Sequence, residues 1–107
     1  MPSSDDATPM LRVETPSKGT IVVSGELDMA TAPQLVAIVD RLVADNVVDI
    51  VIELDRLAFC DSSGLSFFVQ AHQTLRAAGG SLVLHNPSDR LRGLLATTSL
   101  DHELNIS

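Results

Sequence analysis

A chain of 107 residues is long enough for one domain with its own core and too short for two. Apolar residues make up 45% and aromatic residues only 3%, so the core must be Val, Leu, Ile and Ala, a composition that suits a parallel sheet covered by helices. The net charge of −7, with no basic cluster anywhere, argues against nucleic acid as a partner and against an anionic membrane surface. The single cysteine, Cys60, rules out an internal disulfide and fits a reducing cytoplasm. No apolar run approaches the ~20 residues that span a bilayer.

Met1–Thr8 is rich in Ser and Asp, lacks the basic and apolar regions of a signal peptide, and is expected to be a flexible tail ahead of a domain over residues 9–107. Met10–Thr15 and Thr20–Leu27 are strand-like, and Pro16-Ser17-Lys18-Gly19 between them is turn chemistry for an antiparallel hairpin. Thr31-Ala32-Pro33-Gln34 reads as a helix start, with Thr31 as cap and Gln34 completing a capping box. Leu35, Ile38, Val39 and Leu42 then form one apolar stripe, ended by Asp45-Asn46.

Val47–Leu54 is a near-continuous β-branched run, the pattern of a central strand. A loop over Asp55–Gly64 is expected next, then a helix from about Ser63 whose inner face carries Leu65, Phe68, Val69, His72 and Leu75, stopped by Gly79-Gly80. Ser81–His85 is another strand, Pro87-Ser88 opens a third helix bearing Leu91, Leu94 and Leu95, and the residues to Ile106 can add a short edge strand. The order β-β-α-β-α-β-α-(β) predicts a single α/β domain. Its sheet is mixed but mostly parallel, with four to five strands, an N-terminal antiparallel hairpin and helices packed on it.

Functional loops of such sheets lie at the carboxyl ends of the strands. Two qualify here: Gly25-Glu26-Leu27-Asp28, and the segment ending in Asp61-Ser62-Ser63-Gly64. Both follow parallel strands, so Asp28 and Ser62 are expected at the same edge. Asp61, Ser62 and Ser63 all offer side chains that cap a helix, yet one cap needs only one of them. A spare hydroxyl there can accept a phosphoryl group, which would meet free backbone N–H groups and the positive end of the helix dipole. Ser63 is expected to be mainly the cap. Gly64 either lets a partner approach closely or serves only as a helix-entry glycine.

Gly25-Glu26-Leu27-Asp28 followed by Phe59-Cys60-Asp61-Ser62-Ser63-Gly64-Leu65 resembles the STAS family, in particular its stand-alone anti-sigma factor antagonists. The likeness runs from about residue 10 to 105 in the family's order of elements, and Asp-Ser-Ser-Gly-Leu is its specific part. It implies that Ser62 is phosphorylated by a partner anti-sigma factor, a serine kinase related to histidine-kinase ATPase domains. It also implies that the unphosphorylated form binds this partner and frees the sigma factor, and that a PP2C-type phosphatase resets the switch. Asp28, Asp61, Ser62, Ser63 and Gly64 would form the partner-binding patch of a protein that is not an enzyme and is monomeric when free. Ser66 departs from the family, standing where many relatives carry another Gly.

Other chemistries have less support. Asp28, Asp55 and Asp61 resemble the acids of a phospho-acceptor receiver domain, but the only lysine, Lys18, sits in the early hairpin. Ser62 lacks a G-x-S-x-G elbow, there is no Walker loop, and His72, His85 and His102 have no metal-ligand spacing, so neither a metal nor another cofactor is expected. His72 is expected at the core edge, bonded to backbone, and Cys60 as a small buried apolar residue. A scaffold-type module of the same family, without an active kinase partner, is the alternative function.

Overall fold

The computed structural model describes residues 11–107; the expected tail over Met1–Thr8 and the expected strand start at Met10 lie outside them. Strands β1 (Leu11–Ser17) and β2 (Thr20–Leu27) form the antiparallel hairpin. Gly19 turns it with φ +81°, so close to a later strand that a Cβ would stand 2.7 Å from the Asp49 carbonyl oxygen. There follow α1 (Ala32–Ala44), β3 (Asp49–Cys60), α2 (Ser62–Ala77), β4 (Ser81–His85), α3 (Asp89–Thr97), a 3-10 turn (Leu100–His102) and β5 (Asn105–Ile106). The five strands make one sheet in the order β1-β2-β3-β4-β5, and every pair after the hairpin is parallel.

One face of the sheet is buried and the other open. Ile21, Val23, Ile50, Ile52, Leu54, Leu82 and Leu84 are at most 1% exposed and share one core cluster with Leu35 and Val39 of α1, Phe68 and Leu75 of α2, and Leu91 and Leu95 of α3. Each such side chain contributes about 1.5–3 kcal/mol. The alternate residues Val22, Val51 and Val83 are only half-buried, as strand periodicity requires. The helix stops are those the sequence predicts: Asn46 takes φ 63° after α1 and Gly79 takes φ +86° after α2.

Three expectations are corrected. The central strand does not end at Leu54 but continues to Cys60 and stays paired with β2, Ser24 opposite Arg56 and Leu27 opposite Cys60. Two register shifts, each with one extra residue in β3, break the alternation and disguise this stretch as a loop. Asp55 consequently lies within the strand, not at its carboxyl edge. The inner face of α2 includes Phe67 and Ala71, while Val69 and His72 are only partly buried. His72 does not bond to backbone: its Nδ1 is buried without a hydrogen-bond partner.

Candidate functional site

β2 and β3 are paired up to their last residues, Leu27 against Cys60, and the next contact ties the loops themselves. The Asp61 N–H donates to the Leu27 carbonyl at 3.2 Å. Asp28 and Asp61 therefore leave the sheet side by side, so the backbone itself brings the two predicted loops together.

Each carboxylate organises its own turn. Asp28 Oδ1 accepts from the N–H groups of Ala30 at 2.9 Å and Thr31 at 3.1 Å. The Thr31 hydroxyl donates to the Glu26 carbonyl and accepts from the Asp28 N–H, both at 2.9 Å. With its hydroxyl spent in the loop, Thr31 makes no side-chain cap and no capping box forms with Gln34, contrary to the sequence reading. Asp61 takes an extended backbone conformation, and its Oδ1 accepts from the N–H groups of Ser63 at 2.9 Å and Gly64 at 3.2 Å. The cap of α2 is thus Asp61 and not Ser63. Ser62 becomes the first helical residue, exposed to solvent, and its hydroxyl has no hydrogen-bond partner among the described residues.

Asp61→Ala is accordingly expected to cost about 1 kcal/mol, a fall in Tm of roughly 4–8 °C for a domain of this size. Ser63→Ala is expected to stay within about 0.5 kcal/mol. Thermal unfolding followed by circular dichroism checks both, and a larger loss for Ser63→Ala would return the cap to Ser63.

Beneath the site lies a tight junction. Gly64 is buried, and a Cβ on it would stand 2.5 Å from Cys60 Sγ and 3.0 Å from Leu27 Cγ and Cδ2. The absent side chain lets the first turn of α2 sit on the ends of β2 and β3, which fixes where Ser62 emerges.

A family model of the STAS domain matches residues 10–107. The chain belongs to the STAS family. An anti-sigma-B factor antagonist of Listeria monocytogenes is 35% identical over 86 residues, covering 80% of this chain and 75% of the relative. The unphosphorylated form of the anti-sigma factor antagonist SpoIIAA superposes with a TM-score of 0.73 at 27% identity, covering 91% of this chain and 87% of the other. The phosphorylated form of SpoIIAA from Bacillus gives a TM-score of 0.68 at 26% identity, covering 91% and 90%.

Around the junction, this STAS domain carries features its motif did not reveal. Met29, 78% exposed, and Phe59, 43% exposed, are the large hydrophobics left in solvent among the described residues. Met29 lines a shallow groove between α1 and α2 with Pro33, Val36, Ser63, Ser66 and Phe67. Phe59 lines a small cleft with Cys60 and the α3 residues Arg90, Leu91 and Leu94. The available signal was positional: each stands within two residues of a predicted site acid.

Asp55, held within β3, does not join Asp28 and Asp61, so the receiver-like triad does not assemble. No group of three or more His, Cys, Asp or Glu is placed to hold a metal ion among the described residues, and none of their helices is long and apolar enough to cross a membrane. The Cys60 thiol is pushed up to about 12, chiefly by burial and secondly by the Asp61 charge. The thiol of this half-buried residue is therefore neutral at physiological pH. Iodoacetamide at pH 8 is expected to alkylate the folded domain far more slowly than the unfolded chain; equal rates would contradict the burial. Because the unfolded thiol ionises first, this group's contribution to stability is full below about pH 9 and is lost as the pH rises toward 12.

Proposed function

We propose that this STAS domain is an anti-sigma factor antagonist switched at Ser62. Unmodified, it binds an anti-sigma factor that is a serine kinase, and the sigma factor is released. That partner phosphorylates Ser62 and binding ends; a PP2C-type phosphatase restores it. In this reading the domain is the kinase's substrate and not itself an enzyme, works as a monomer when free, and acts in the cytoplasm.

The observation that carries the reading is the division of labour at the start of α2. Asp61 alone caps the helix, so the Ser62 hydroxyl has no structural duty and stands exposed at a helix N-terminus. Asp28, Asp61 and Ser63 surround it as the partner-facing patch, and Gly64 contributes by holding the turn in place. The relatives named for the same role, and a solved neighbour known in both phosphorylation states, support it.

The test is labelling by the cognate anti-sigma factor kinase and ATP, read by mass spectrometry. Wild type and Ser63→Ala are expected to gain one phosphate, stable to acid, and Ser62→Ala none. Normal labelling of Ser62→Ala, or a hydroxylamine-labile phosphate on an Asp, overturns the assignment.

A further inference from the structure

Ser62 offers a kinase one small hydroxyl among acids, too little surface to explain a lasting complex. A specific contact of ordinary size covers about 800 Å² on each partner, some 20–30 residues. Its affinity comes mainly from a few large side chains near the centre, ringed by polar groups. Any protein that encloses Ser62 must therefore cover the residues around it.

What lies around it is unusual for this chain. Of its three Phe residues, Phe67 and Phe68 are buried and only Phe59 is exposed. Its exposure is built into the backbone. Leu57 points into the core, and strict alternation would send Phe59 inward as well, but the second register shift of β3 falls between them and aligns Phe59 with Glu26. Met29 is presented from the other loop, in the turn that Asp28 ties to Ala30 and Thr31. Met29 shares one depression with Ser63 and Phe59 another with Cys60, so each side chain lies beside a residue that stands within two positions of Ser62 in the chain. Isolated exposed hydrophobics carry little meaning; two fixed at one edge, beside the exposed hydroxyl, mark a contact surface.

Resting on the reading of Ser62 given above, we infer that Met29 and Phe59 are paired apolar anchors for the same kinase that modifies Ser62. They hold the partner, while Ser62 only reports whether it is to be released. Charge is consistent with this division. Glu26, Asp28 and Asp61 form no ion pair among the described residues, so a basic rim on the partner would steer the approach, and the anchors supply affinity that salt does not screen.

The experiment compares wild type, Met29→Ser, Phe59→Ser and the double variant with the purified kinase. Binding is measured by calorimetry, and phosphorylation as separate KM and kcat. Each single change is expected to raise Kd and KM about tenfold or more while kcat at saturation is unchanged. Met29 is so exposed that its variant must retain the wild-type Tm, which keeps the test valid if Phe59→Ser is destabilised. Kd and KM within twofold of wild type, or a fall in kcat alone, overturns the anchors. If Ser62 is never labelled yet the variants still weaken binding, the switch at Ser62 fails and the anchors stand. If the wild-type protein does not bind the kinase at all, both fall.

Discussion

Phosphorylated on Ser62, the domain is expected to bind its partner more than about a hundredfold more weakly, an effect of ~3 kcal/mol or more. A phosphoserine adds about −1.5 to −2 charges at neutral pH. The sequence predicts that the start of α2 can absorb that charge through free N–H groups and the helix dipole. The structure removes much of this relief, because the Ser63 and Gly64 N–H groups already serve Asp61 Oδ1 and the Leu65 N–H serves the Asp61 carbonyl. The phosphate must then either evict the Asp61 carboxylate or stand outward beside it, and in both cases the local negative charge grows. A partner surface shaped around a hydroxyl would have to bury an unpaired dianion, which costs several kcal/mol.

The loss should arise at the interface and not from refolding. Backbone amide shifts on phosphorylation are expected only near residues 27–31 and 59–66, with the rest of the sheet unmoved. Ser62→Asp is expected to reproduce part of the effect, having one charge and a shorter reach. Calorimetric titration of both forms, beside their amide spectra, decides the matter. Undiminished binding of the phosphorylated form would refute the switch, and shift changes across β1 or β4 would refute its local character.

Gly64→Ala is expected to destabilise the fold by about 1–3 kcal/mol, although Ala is favoured over Gly within a helix by about 1 kcal/mol. The added methyl would stand 2.5 Å from Cys60 Sγ and 3.0 Å from Leu27, both fixed by the paired ends of β3 and β2. Gly64→Val is expected to cost still more. The cause is local enough to be relieved: in a Cys60→Ala background the clash with sulfur disappears, and most of the loss from Gly64→Ala should return. Denaturant unfolding of the four proteins in that cycle measures the coupling. Additive effects would show that the first turn of α2 simply lifts away, and that the junction does not fix Ser62.

The sequence by itself determined the order of elements, the hairpin, the stops of α1 and α2, the Ser88 start of α3 and the edge strand at Asn105–Ile106. These depend on interactions within a few residues or on a periodic apolar face, and both are written locally. It also brought Asp28 and Ser62 to one edge, because parallel strands leave their carboxyl ends together. The tertiary structure alone decided which of Asp61, Ser62 and Ser63 caps the helix, since that choice follows from the direction in which β3 delivers the chain. It alone extended β3 through Asp55–Cys60, where pairing with β2 outweighs the polar Asp55-Arg56 and the broken alternation. Thr31 was diverted from its expected cap for the same kind of reason, as the nearby Glu26 carbonyl and Asp28 N–H claim its hydroxyl. The exposure of Met29 and Phe59 was hinted at only by their place beside Asp28 and Asp61: whether an apolar side chain is buried depends on what the fold brings over it, and it covers Phe59 only in part and Met29 hardly at all.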